Sequence, residues 1–443
     1  MINTWAAKCL FMHAVLIGIG IDHACATSPS QLTPENLNRR DRAAAISRNL
    51  VISDGGEASI KSDLSVTIAD IQLENAFEAN GVDPEKILSK FRNRIITVTE
   101  IFDLAKSVEQ LYTSHGYVLT RVTVPPQSLK DGGTLKLFVV NGTIGEISVE
   151  SLAPQVRSVV KARLANLKDK NHIRLSEIER SLLLAGDIPG VKLKSAFSAG
   201  KEPGTSKLIV EGAYDEVSAI ATISNDLSKS AGEWRRTAWL SINGVAGHGE
   251  QFYGSISSAF FDRWPFQSDS RFNSVGLGLV VPLGVNGVSF TGEYIRSNIN
   301  IPEQALVPAE NQNFERLSLR INSEIIKERS SNLDFGIALE HDSQGDILGL
   351  SRIPLYRDSY WVSRFSVSGQ KAFGEALTDY SITQSFGLGG RDEKDASLSA
   401  IPLSRVGSSP YFAKINGDFH FADKLGGGYG YDLYSGIQYS YGL

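Results

Sequence analysis

From residue 217 onward the chain repeats one pattern: segments in which apolar and polar residues alternate, set apart by clusters of Gly, Asn, Asp, Ser and Pro. In segment 315–327, Leu317, Leu319, Ile321 and Ile325 fall on one side, and Arg316, Ser318, Arg320, Asn322 and Glu324 on the other. Successive strand side chains face opposite sides of a sheet, so the segment reads as a strand with one apolar and one charged face. Segment 411–421 repeats the arrangement, with Tyr411, Ala413, Ile415, Phe419 and Phe421 opposed by Lys414, Asn416, Asp418 and His420. A soluble sandwich alternates as well, but with strands of about five or six residues. These segments reach about ten or more, the length a tilted strand needs to cross a bilayer. The pattern predicts an antiparallel transmembrane β-barrel.

About eleven such strands can be placed, at 217–225, 233–243, 251–261, 272–283, 288–297, 315–327, 333–341, 360–370, 379–386, 411–421 and 429–441. Tight turns such as 283–287 alternate with longer polar loops such as 302–313, as expected of short periplasmic and long outer connections. Aromatic residues gather at strand ends, where a bilayer has its two interfaces: Phe260, Phe261, Trp264, Phe266, Tyr360, Trp361, Tyr429 and Tyr431. On the polar face, Arg316, Arg320 and Glu324 are candidates to face an aqueous lumen. Residues 387–391 are glycine-rich and, with the charged run 392–395, read as a solvated loop. No apolar run reaches the length of a spanning helix, and a barrel needs none because only alternate residues meet lipid.

Residues 1–26 read as a secretory signal. Lys8 precedes an apolar run, and Ala24-Cys25-Ala26 is a small-x-small site with cleavage between Ala26 and Thr27. Both cysteines of the chain, Cys9 and Cys25, lie inside it. The expected mature chain then has no disulfide, cysteine ligand or cysteine nucleophile. Residues 27–63 form a polar leader in which 35–49 could be helical without a strong apolar face.

Two α/β units of similar order follow. In the first (64–143), a strand at 65–73 precedes a helix opened by Asp83-Pro84-Glu85. Thr97 and Glu100 then form a capping box for a helix carrying Ile101, Leu104, Val108, Leu111 and Tyr112, which stops at Gly116. Strands at 118–124 and 134–141 complete it. In the second (144–213), a strand at 145–151 is followed by two helices, one from Pro154 and one carrying Leu175, Ile178, Leu182 and Leu183. Strands at 191–196 and 206–211 close it. The shared order suggests an internal structural repeat.

A formal net charge of −5 argues against a nucleic-acid binder. His115, His172, His248, His341 and His420 are scattered without ligand spacing. No nucleophile elbow, phosphate loop or calcium loop occurs. The sequence predicts no enzyme, no metal and no cofactor.

The residues 122–127 (Val-Thr-Val-Pro-Pro-Gln), Leu129, Asp131-Gly132, 135–140 and 141–147 (Asn-Gly-Thr-Ile-Gly-Glu-Ile) resemble the POTRA module of two-partner secretion transporters. These are the haemolysin-activator and filamentous-haemagglutinin-transporter proteins. Residues 184–191 and 204–211 resemble that family's second POTRA domain. Asn225, Gly244, Gly247-His248-Gly249 and Tyr253-Gly254-Ser255 resemble its opening barrel hairpins.

The resemblance implies two α+β POTRA domains in the periplasm, then an outer-membrane barrel of about sixteen strands, of which 214–443 holds an incomplete part of about eleven, in a Gram-negative bacterium. It implies a monomeric transporter that captures an unfolded exoprotein bearing an N-terminal secretion domain and exports it through the pore. Outer-membrane lipid is the other expected partner. An extended client can add to POTRA edge strands through main-chain hydrogen bonds. The candidate capture strands are 118–124, 135–140, 191–196 and 206–211, with Val122, Val124, Leu135, Leu137, Val139, Leu193, Leu208 and Val210 as their apolar side chains. Segment 35–49 stands where such proteins carry a pore-plugging helix. A Val-Arg-Gly-Phe/Tyr loop motif has no counterpart before residue 443, so the chain reads as truncated at its C-terminus. Such an incomplete barrel would leave two unpaired edges in lipid. The alternatives are a passive porin, a barrel-assembly insertase of the same superfamily, a non-functional truncated product and, last, a soluble hydrolase. Paired POTRA domains before the barrel separate the exporter from the porin.

Overall fold

The computed structural model describes residues 64–262, 270–303, 308–349, 352–425 and 429–442. The cleavage site Ala26-Thr27, the leader helix at 35–49 and the aromatics Trp264 and Phe266 lie outside the described residues.

The first unit contains β1 (Ser65–Glu74), α1 (Glu85–Leu88) with a 3-10 turn, β2 (Arg94–Thr97), α2 (Val98–Ser114), β3 (Arg121–Thr123) and β4 (Gly133–Val140). Its sheet order is β2-β1-β4-β3, with β1 parallel to β4. The capping box starts α2 as expected. Glu100 N donates to Thr97 Oγ1 at 3.2 Å and Thr97 N donates to Glu100 Oε2 at 2.7 Å. Helix α2 then lays Ile101, Leu104, Val108 and Tyr112 on Leu135, Leu137 and Val139. β2 is absent from the sequence-based order because four residues are too few to show an alternation.

The second unit contains β5 (Thr143–Ser148), α3 (Pro154–Leu164), α4 (Leu175–Gly186), β6 (Val191–Ala199) and β7 (Thr205–Tyr214). Its sheet order is β5-β7-β6, with β5 parallel to β7. The units touch: Leu175 N donates to Gly116 O at 2.8 Å, and the Phe77 and His172 rings lie 3.9 Å apart.

The rest is one eleven-stranded sheet in sequence order. Its strands are β8 (Val217–Ser224), β9 (Arg235–Asn243), β10 (Gln251–Ala259), β11 (Phe272–Leu283), β12 (Val288–Ile301) and β13 (Glu310–Lys327). They continue as β14 (Ser331–Leu348), β15 (Ile353–Phe373), β16 (Ala376–Gly390), β17 (Phe412–Leu425) and β18 (Tyr429–Gly442), with α5 (Glu393–Ser399) between β16 and β17. Among the described residues the sheet is open, with β8 and β18 as its edges.

Each expected strand is present, but several are longer. β14 and β15 have 18 and 21 residues. In the far part of β14, away from the α/β units, residues 342–346 are polar on both faces, so the alternation fades while the ladder continues. β13 begins at Glu310, inside the expected loop 302–313. The glycine-rich stretch 387–391 is corrected from loop to strand: β16 runs through Gly390, where a Cβ would collide with Ser359 O. The charged run after it opens α5, with Asp395 N donating to Asp392 Oδ1 at 3.0 Å.

One sheet face is apolar and exposed. Leu317, Leu319 and Ile321 of β13 lie beside Ile337 and Leu339 of β14 and Phe365 and Val367 of β15. A contiguous apolar surface this broad belongs against lipid. Trp361 stands toward the far end of that face, and Tyr429 and Tyr431 at the near end. Tyr360 is corrected: its register partner is Asp342, which puts it on the polar face.

Candidate functional site: a charged sheet face joined to two α/β units

Arg316 and Arg320 fall on the face opposite the exposed aliphatics, as alternation requires. Across the β13–β14 pair, Arg316 Nε and Nη2 donate to the two Asp342 oxygens at 2.7 and 3.2 Å. Arg320 stands 3.6 Å from Glu340. From β15, Arg364 donates to Glu340 Oε2 at 2.5 Å and to Ser385 Oγ at 2.9 Å. The Glu340 and Asp342 side chains are 1% and 4% exposed. Three guanidinium groups thus hold two buried carboxylates. Buried charges persist only when paired and hydrogen-bonded, and here the pairing spans three strands. The result is a rigid charged wall.

Glu340, Asp342 and Arg364 escaped the sequence reading. Alternation puts Glu340 on the polar side, but its partners depend on register, which a single strand does not reveal. Asp342 lay one residue beyond the expected strand end.

Glu324 shares the polar face at its near end, where the β13–β14 register shifts. Its carboxylate is 3.3 Å from Lys327 Nζ, which also meets Asp187 at 2.7 Å. Arg180 on α4 donates to Glu324 O at 2.8 Å, Ile325 O at 3.3 Å and Asn286 O at 3.4 Å. Arg329 meets Glu179 at 2.9 Å. The β11–β12 turn comes close enough that a Cβ at Gly287 (φ 83) would lie 2.7 Å from Leu184 Cδ2. Beneath α4, burial pushes the Arg163 guanidinium below its ordinary pKa. Beside β9, Asn243 Nδ2 donates to Asp215 O at 2.7 Å, and Asp215 N donates to Gly190 O at 2.8 Å. The second unit is therefore held on the near ends of several strands.

Of the expected capture residues, Leu135, Leu137, Val139, Leu208 and Val210 are each 0% exposed. They lie on β4 and β7, which are paired on both sides, so placing them on edge strands is corrected. Their alternation reflects burial against the helices. Val122 is on the edge strand β3, with Val124 just beyond it, and Leu193 is on the edge strand β6. The β3 edge is already occupied: Val122 N donates to Glu109 Oε2 at 3.0 Å and Arg121 Nη1 to Glu109 Oε1 at 3.1 Å. The β2 edge carries Ile95, 69% exposed, and on α2 Phe102 is 41% exposed. The Ile95-Ile96 pair just before the capping box was the one available signal for this strand.

The family model for a POTRA domain, ShlB-type, matches residues 66–142, and that for the haemolysin secretion/activation protein ShlB/FhaC/HecB matches residues 204–442. The chain is 25% identical over 199 residues to the heme/hemopexin transporter protein HuxB of Haemophilus influenzae (strain 86-028NP), covering 44% of this chain and 35% of that protein. It is 22% identical over 303 residues to the outer membrane transporter CdiB-2 of Burkholderia pseudomallei (strain 1026b), covering 67% of this chain and 50% of that one. The chain thus spans between a third and a half of these relatives. In fold it is similar to the solved CdiB from Escherichia coli, with TM-score 0.66, 16% identity and coverage of 94% of this chain and 77% of that one. CdiB from Acinetobacter baumannii gives TM-score 0.56 at 14% identity, covering 92% and 76%.

Proposed function

Since the chain belongs to the haemolysin secretion/activation family ShlB/FhaC/HecB, we propose that it is an outer-membrane transporter that moves a secreted exoprotein out of the cell, its POTRA units in the periplasm. Members of this family are transporters rather than enzymes. The observation that carries the reading is the succession, in one chain, of a ShlB-type POTRA match and a secretion-family match over the sheet.

An extended client would add to the free β2 edge, where Ile95 and Phe102 offer apolar contacts and the main chain supplies sequence-tolerant hydrogen bonds. β6, nine residues long and holding Leu193, is a second edge closer to the sheet. Beyond it the client meets a wall whose charges are fixed in pairs, Arg316 with Asp342 and Arg364 with Glu340. A passing chain finds little apolar surface there to adhere to.

A photo-crosslinking residue at Ile95 in the full chain, expressed in the bacterium that makes it, tests this. The reading predicts a crosslink to one large exported polypeptide, mapping to its N-terminal secretion domain. Crosslinks only to periplasmic housekeeping proteins would contradict it.

A further inference from the structure

The loop between β16 and β17 leaves a cavity of about 600 Å³ at the far end of the sheet, lined by residues that include His341, Arg357, Trp361, Arg391, Asp395 and Leu398. His341 and Trp361 are register partners on the apolar face, their rings 4.8 Å apart. His341 also pairs with Leu317, 41% exposed. One rung farther out on the same face, Arg296 and Glu315 form an exposed ion pair at 3.5 Å. The cavity therefore straddles the step from apolar belt to charged exterior, where the headgroups of a bilayer lie.

Two arginines stand in it. The Arg391 guanidinium is fixed by neutral acceptors: Arg357 O and Ile401 O at 2.6 Å each, Pro402 O at 3.4 Å, and Ser399 Oγ. None of these neutralises its charge. Arg357 is exposed, and among the described residues its guanidinium has no ion pair or hydrogen bond. The cavity's carboxylate, Asp395, accepts from Asp392 N at 3.4 Å and pairs with neither arginine. The site thus keeps an uncompensated positive charge beside an apolar surface.

We propose that this cavity binds the phosphate group of a phosphorylated glycolipid of the outer leaflet. Guanidinium groups suit phosphate because their planar fork donates two parallel hydrogen bonds. The acyl chains would continue along Trp361, Leu388 and Leu339, all exposed on the apolar face. A soluble anion would gain nothing from that surface, so charge and belt together select a lipid. The proposal rests on the outer-membrane placement and not on export of an exoprotein.

The test is native mass spectrometry of the full chain in neutral detergent, titrated with lipid A, dephosphorylated lipid A, diacylglycerol or inorganic phosphate. Lipid A is expected to be retained, and the dephosphorylated form no better than diacylglycerol. Arg357→Gln should lower lipid A retention about tenfold, the worth of one charge-assisted hydrogen bond or more. Trp361→Ala should lower it too, with the heat-modifiable folded band unchanged in both variants. Equal retention by wild type and Arg357→Gln would overturn the proposal. So would inorganic phosphate binding as tightly as lipid A. Secretion of the exoprotein is a separate readout, so failure of lipid retention and failure of export are distinguishable.

Discussion

Arg316 on β13 and Asp342 on β14 are register partners that form a two-point hydrogen-bonded ion pair, at 2.7 and 3.2 Å, on the polar side of the sheet. Arg364 adds a third point of charge contact, 3.8 Å from the same carboxylate. Removing one partner strands a buried charge, whereas removing both removes the problem. Asp342→Ala is expected to cost about 3–5 kcal/mol. The double change Arg316→Met with Asp342→Leu should cost less than Asp342→Ala alone. Urea midpoints in detergent, followed by tryptophan fluorescence, compare the two.

The second α/β unit is held to the sheet by Arg180, whose guanidinium donates to three main-chain carbonyls, those of Glu324 and Ile325 at the near end of β13 and of Asn286 in the β11–β12 turn. Arg180→Ala should weaken that docking by about 1.5–3 kcal/mol, the range for hydrogen bonds to a charged group. Hydrogen exchange should then speed up at the amides of α4 and the β11–β12 turn while the central strands stay protected. Unchanged exchange at α4 would mean that Lys327 and Arg329 hold the unit without it.

Core and capture positions separate by substitution. Leu137→Ala and Leu208→Ala remove fully buried side chains and are expected to cost about 2–5 kcal/mol each. Ile95→Asp, on an exposed edge, should change stability by no more than about 0.5 kcal/mol. Denaturation midpoints check the first pair. A lower yield of client crosslinked to the β6 edge checks the second, since the proposed capture at β2 would come first.

Acid sensitivity of the second α/β unit has an identifiable source in Glu146. Hydrogen bonds from Lys207 and Lys201 hold its carboxyl below the ordinary value. A depressed folded-state pKa contributes stability above the unfolded-state pKa, and that contribution is lost as pH falls through the folded-state value. Glu146→Gln is thus expected to be less stable than wild type at neutral pH, with the gap closing in the acid range. Added salt should also narrow the gap, since the group is exposed. Melting temperatures measured across pH and salt check both directions.

The sheet was legible because its signal is periodic: Leu317, Leu319 and Ile321 alternate with Arg316, Ser318 and Arg320 whatever their neighbours are. Strand ends were less legible. Beyond His341 both faces of β14 become polar, and only the ladder, with Asp342 opposite Tyr360, shows that the strand continues. The α/β units gave up their helices through Thr97, Glu100 and Pro154, but an alternating strand looks alike at an edge or in the middle. That is why Leu135 and Leu208 read as capture residues when they are core. The ionic wall and the Arg180 clamp join residues far apart in sequence, and no local pattern encodes such pairs.

The most direct measurement compares culture supernatants of the producing bacterium with and without this gene, by mass spectrometry. The account predicts that one large polypeptide disappears from the medium, that its chain accumulates or is degraded in the periplasm, and that the intact gene restores export. An unchanged set of secreted proteins in the deletion strain would contradict the account.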